Sequence, residues 1–69
     1  MKSEKHLDAF GAKLKEQRLK KDWSQEELAA AAGLDRTYVS SCERGQRNIS
    51  LLNIYKLANA LKIKAGDLL

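Results

Sequence analysis

The stretch that most narrows what this chain can become lies between Trp23 and Gly45. Ser24-Gln25-Glu26-Glu27 has the pattern of a capping box, in which the Ser24 hydroxyl accepts from the Glu27 amide and the Glu27 carboxylate accepts from the Ser24 amide. Trp23 before the cap and Leu28 after it form a hydrophobic staple. The helix so started runs through Ala29 to Ala32 and reaches Gly33, which can take the left-handed conformation of a C-cap. Asp35 then caps another helix, with Leu34 and Val39 placed as a second staple, and that helix ends near Arg44-Gly45. Two short helices therefore meet across Gly33-Leu34-Asp35. Each is shorter than the roughly 12–15 residues an isolated helix needs in water, so both depend on packing.

The flanks supply partners of the same kind. Leu7, Phe10 and Leu14 recur at three- and four-residue steps, which predicts a helix from about Glu4 to Lys21. Lys20 and Lys21 suit its C-terminal end. After the polar Gln46, Arg47 and Asn48, Ser50 caps a fourth helix, stapled by Ile49 and Ile54, with an apolar face of Leu51, Ile54, Tyr55, Ala58 and Leu61. A short fifth turn spans about Ala65 to Leu69, where Lys64 is a poor cap and Gly66 weakens the helix. Proline and strand-type alternation are absent. The expectation is an all-α, compact bundle of five short helices forming one domain over residues 1–69.

At 69 residues a domain buries only about 60% of the surface its unfolded chain exposes. Leu51, Tyr55, Leu68 and Leu69 are too many apolar groups for such a core, and they are candidates for a dimer patch. Cys42 and His6 are the only cysteine and histidine, too few for a disulfide or a zinc cage, so no metal site and no cofactor are expected. No apolar run approaches the roughly 18 residues of a membrane helix. A soluble, reduced, cytoplasmic protein is expected. No set of residues could converge as a catalytic constellation, which points away from an enzyme.

Thirteen Lys and Arg against nine Asp and Glu give a formal charge of +4, a balance that suits a polyanionic partner. Its distribution is more informative. Acids and bases cancel over residues 1–35, so the whole excess lies in the second half, where Arg36, Arg44 and Arg47 cluster. Within the paired helices, Gln25, Ala29, Gly33, Val39 and Cys42 have the residue types that a tight helix–turn–helix crossing requires: a small residue at the contact, a glycine in the turn and apolar groups inside. A wheel at about 100° per residue sets Val39 and Cys42 inward and turns Thr37, Ser40, Ser41 and Arg44 outward as one polar face. Arg36, in the first turn, can reach out beside them. Arginine can bind guanine bidentately, and threonine can meet a base edge or a thymine methyl.

From Leu14 to Leu61 the chain resembles the helix-turn-helix domain of lambda-type phage repressors and xenobiotic-response-element-like regulators. The residues that carry the resemblance are Trp-Ser-Gln-Glu-Glu-Leu-Ala from Trp23, Gly-Leu-Asp-Arg-Thr-Tyr-Val-Ser from Gly33, and Glu-Arg-Gly from Glu43. The Asp-Arg-Thr-Tyr run with Arg47-Asn48 is similar to the controller proteins of restriction–modification systems. The resemblance implies a sequence-specific, DNA-binding transcriptional regulator acting as a homodimer on a pseudo-palindromic operator; the sequence itself shows no ligand pocket, so no small-molecule effector is expected. It implies that Gln25 touches phosphate or a base edge from the start of the second helix. Arg36, Thr37, Ser40 and Ser41 would occupy recognition positions, and Tyr38, Arg44, Arg47 and Asn48 would grip the sugar–phosphate backbone. Arg18 and Glu43 match an internal salt bridge, so Arg18 is assigned to structure. Ser41 is short where several relatives carry a longer reading side chain, which throws weight onto Arg36, Thr37 and DNA shape.

Blander readings stand beside these. Cys42 reads as a small core residue rather than a redox sensor, His6 as surface, and Lys13, Lys15, Lys20 and Lys21 as a solvated face. The alternative function is a protein-interaction module, such as an antitoxin, built on the same fold. It calls for an acidic or apolar outer face on the third helix, and that face is neither.

Overall fold

The computed structural model describes residues 5–69, so the expected start of the first helix at Glu4 lies outside the described residues. Helix α1 spans Lys5–Lys20, α2 Gln25–Ala32, α3 Arg36–Glu43 and α4 Leu51–Leu61, and a single 3-10 turn, Ala65–Leu68, closes the chain. No strand occurs among the described residues.

The starts follow the local chemistry of the sequence. The Ser24 hydroxyl accepts from the Glu27 amide at 3.0 Å, and the Ser24 amide donates to the Glu27 carboxylate at 2.7 Å, completing the capping box. Gly33, with φ 71°, ends α2 in the left-handed region. The Asp35 carboxylate accepts from the Thr37 amide at 2.8 Å, which holds its pKa below the ordinary carboxylate value. Ser50 caps α4 through the Asn53 amide. The fifth element is the short turn expected, of the 3-10 type and ending at Leu68. It amounts to one turn, started by the Asp67 carboxylate accepting from the Lys64 amide at 3.0 Å.

The core gathers Phe10 and Leu14 from α1, Leu28, Ala29 and Ala32 from α2, Val39 and Cys42 from α3, and Leu57, Ala58 and Leu61 from α4, with Leu68 beneath. Leu68 is fully buried, which removes it from the apolar surface patch expected for it. The last turn packs against α4 and α1, which places this side chain within the core cluster. The apolar face of α4 agrees with the expected one at Ile54, Ala58 and Leu61 and departs from it at Leu57. Leu57 faces the core, whereas Leu51 and Tyr55 stay exposed together with Leu52. Helix α4 packs against α2 and the 3-10 turn, and its buried side chains, Leu57, Ala58 and Leu61, all lie in its later turns.

Cys42 is a core residue, as expected. Burial pushes its thiol up to about 11, from 9.0, against the opposing pull of Arg47. A raised thiol pKa contributes stability that is complete below the unfolded value near 9. That contribution is lost as pH climbs through the folded value. The folded protein is therefore expected to lose stability above about pH 9 and to react with thiol reagents only as fast as it opens. A Cys42→Ala variant whose melting temperature fell just as steeply between neutral and alkaline pH would contradict the assignment.

Candidate nucleic-acid interface

The exposed side of the molecule around α3 is organised from the inside by one carboxylate. The side chain of Glu43 is 3% exposed and sits at the C-terminal end of α3. Its Oε2 accepts from Arg18 Nε at 2.6 Å and its Oε1 from Arg18 Nη2 at 3.0 Å, a bidentate pair. The same Oε1 accepts from Gln25 Nε2 at 3.0 Å. Arg18 Nη1 donates to the Trp23 carbonyl at 2.7 Å. One network thus ties α1, the start of α2 and the end of α3. Glu43, chiefly through its hydrogen bonds, raises the Arg18 pKa further above its ordinary value. The salt bridge expected from sequence is present, and the network extends it to Gln25. Gln25 is half-buried and turned inward at its amide nitrogen, which leaves its carbonyl oxygen without a protein partner among the described residues.

Helix α1 reaches this network because it carries a glycine where it crosses α3. A Cβ on Gly11 would stand 2.5 Å from the Glu43 carbonyl oxygen and 2.6 Å from that of Cys42. Sequence reading passed over Gly11, although an interior helical glycine, which costs stability, is itself a sign of close packing. Gly45 is a second such position. It has φ 71°, and a Cβ there would overlap Asp8.

On the outer side, Arg36 and Thr37 are exposed at the first turn of α3, as expected for residues that face outward. Tyr38 and Ser40 are half-exposed. Arg44 is exposed, and its guanidinium is shared between Gln46 Oε1 at 3.1 Å and the Ser40 hydroxyl. Asn48 is exposed in the loop before α4. Ser41 departs from the expected outward position. It is 8% exposed, and its hydroxyl donates to the backbone carbonyls of Thr37 and Tyr38, both at 3.0 Å. The wheel considers α3 alone. In the folded chain the loop after α3 turns back over Ser41, with the Gln46 amide donating to the Ser41 carbonyl and Arg47 Nε donating to the Ser41 hydroxyl at 3.1 Å. Arg47 also lies over the Tyr38 ring, 4.7 Å from its centroid. Ser41 therefore holds the loop, a role the sequence did not announce.

The arrangement is a short helix braced on three sides, with a basic and hydroxyl-rich first turn and a cationic loop beside it. Such a surface defines a helix-turn-helix protein, and comparison with known families agrees: residues 14–68 match the helix-turn-helix family. The chain belongs to that family of DNA-binding regulators. Among curated proteins it is similar to the control protein C.BamHI of Bacillus amyloliquefaciens, 51% identical over 61 residues covering 87% of this chain and 75% of that one. It is also similar to a hypothetical transcription factor of Neisseria meningitidis, 60% identical over 52 residues. Those residues cover 75% of this chain but only 49% of the Neisseria protein. Among solved structures, the restriction–modification controller protein C.AhdI from Aeromonas hydrophila superposes with a TM-score of 0.90 at 56% identity, covering 91% of this chain and 96% of that one. Among the described residues, no helix is long and apolar enough to cross a membrane, and no group of three or more His, Cys, Asp or Glu could hold a metal ion.

Proposed function

We propose that this protein is a sequence-specific transcriptional regulator of the restriction–modification controller kind. It presents α3 to the major groove of a pseudo-palindromic operator, as a homodimer in the cytoplasm. The observation that carries this reading is the pair Arg36 and Thr37, exposed on a first turn whose far end is anchored by Glu43. A rigid helix with free arginine and hydroxyl groups suits reading of base edges, and anchoring lowers the entropy lost on docking. Arg36, Thr37 and Ser40 occupy the reading positions. Gln25, Tyr38, Arg44, Arg47 and Asn48 serve the sugar–phosphate backbone. Ser41 acts through Arg47 rather than on DNA. Leu51, Leu52 and Tyr55 on α4, and Leu69, are exposed apolar side chains that would supply the dimer contact and set two recognition helices about 34–36 Å apart.

Selection of bound sites from random duplex DNA tests the reading directly, because a dimer returns two inverted half-sites about one helical turn apart. Affinity for the selected duplex should fall linearly with salt on logarithmic axes. Affinity that is weak and flat across salt would sink the proposal and favour a protein partner. Arg36→Ala is expected to cost about 1–3 kcal/mol on the selected site and to relax preference at particular base pairs. Arg44→Ala should weaken all duplexes alike and lower the salt slope by about one. The contrast between the two variants separates reading from backbone contact.

A further inference from the structure

Arg47 raises a question that its charge alone does not answer. It follows a glycine-containing turn, in a loop where a long cationic side chain would ordinarily sample many rotamers, at a cost on binding. Here it is held on two sides: its guanidinium lies over the Tyr38 ring and its Nε donates to Ser41. A ring is a useful platform only if the ring itself is fixed. Tyr38 is half-exposed, and its phenolic oxygen accepts from Asn53 Nδ2 at 2.9 Å. Asn53 stands in the first turn of α4, where its own amide is tied to the Ser50 cap. The order of support runs from Ser50 to Asn53, from Asn53 to Tyr38, and from Tyr38 to Arg47.

We propose that Asn53 is a positioning residue of the DNA-binding surface, acting through the Tyr38 phenol to hold the Arg47 guanidinium ready for a phosphate. Stacking occupies one face of the guanidinium and the bond to Ser41 occupies its Nε. Its two terminal NH2 groups make no hydrogen bond to the protein among the described residues. Those are the donors that form a planar fork for phosphate oxygens. Asn53 touches no DNA in this scheme. It lies between Leu52 and Ile54, within the segment that carries the exposed Leu51, Leu52 and Tyr55. The brace therefore begins in the part of α4 proposed for dimer contact and ends at the DNA face, so a partner that orders this turn also orders Arg47.

The inference rests on the DNA-binding reading above, and one part of its test is independent of DNA. In the free protein, the order parameter of the Arg47 Nε–H, read by nuclear magnetic resonance, is expected to fall in Asn53→Ala and in Tyr38→Phe. An unchanged value in both overturns the brace whatever the protein binds. On a fixed random-sequence duplex, each of the two variants should weaken binding by about two- to tenfold, the effect of one extra mobile side chain to be ordered. The double variant should be no weaker than Tyr38→Phe alone. In an Arg47→Ala background, Asn53→Ala should add nothing. A loss from Asn53→Ala that persists undiminished in that background overturns the proposal, because Asn53 would then act through the fold or by its own contact. Wild-type protein that binds no duplex overturns the function while the order-parameter measurement still judges the brace. Thermal melts of each variant identify any that is unfolded, and Tyr38→Phe, which keeps the ring, carries the test if Asn53→Ala is one of them.

Discussion

Arg18→Ala is expected to destabilise the protein by about 3–5 kcal/mol, the cost of leaving a buried charge without its partner. A domain of 69 residues has only about 3–10 kcal/mol in total, so the variant should be largely unfolded at physiological temperature. Three consequences of the substitution act together. Glu43, 3% exposed at its side chain, keeps a charge that has lost two of its three side-chain donors. The Trp23 carbonyl loses the Nη1 donor that tethers the turn before α2. The junction of α1 with the end of α3 loses its ion pair and is left with packing at Gly11 and the core. Glu43→Ala should be similarly damaging, since it leaves the Arg18 guanidinium in the same pocket without its acceptor. Replacing both with apolar residues of similar volume, Arg18→Met with Glu43→Leu, should recover most of the loss, because no uncompensated charge remains. Urea melts of the three variants make the comparison. If Arg18→Ala melts with the wild type, the network has no structural weight.

Gly11→Ala comes next in size, at about 3 kcal/mol. In most helices this change stabilises by up to about 1 kcal/mol, because alanine is the better helix former. The expected sign is reversed here because the added methyl would stand 2.5 Å from the Glu43 carbonyl oxygen and 2.6 Å from that of Cys42. Both obstacles are backbone, so no side chain can swing aside, and α1 must move off α3. That movement stretches the Arg18–Glu43 pair as well, which couples this position to the first prediction. A Gly66→Ala variant is a useful control, since nothing lies within 4 Å of a Cβ there. A melting temperature for Gly11→Ala at or above that of the wild type would show that the crossing is looser than the packing implies.

Most of the fold was legible because it is specified by contacts between near neighbours in sequence. The capping box at Ser24, the left-handed Gly33, the Asp35 cap and the Ser50 cap each involve residues within a turn of one another. Such signals survive reading in one dimension. The Arg18–Glu43 pair is a long-range contact that was also anticipated, but through family resemblance rather than from periodicity. The misreading of Ser41 arises because a helical wheel contains a single helix. It turned Ser41 outward because it could not include the loop that returns over α3. On α4, Leu51 and Tyr55 belong to the apolar stripe by periodicity yet stay exposed, as expected of apolar groups too many for so small a core. Leu68 was expected at the surface because nothing local says that the last turn tucks beneath the bundle.

By itself, then, the sequence determined the starts of α2, α3 and α4 and their limits to within a residue or so, the turn-permitting glycine between α2 and α3, and the concentration of arginines from Arg36 to Arg47. These follow from caps, periodicity and composition, which act over a few residues. Only the tertiary structure decided which of those groups are free to meet a partner. It engaged Gln25 with Glu43, withdrew Ser41 into the protein, stacked Arg47 on Tyr38, and brought Asn53 to that ring from a different helix. The physical reason is distance along the chain: a side chain's freedom depends on what the fold brings against it, and those neighbours are supplied by other elements.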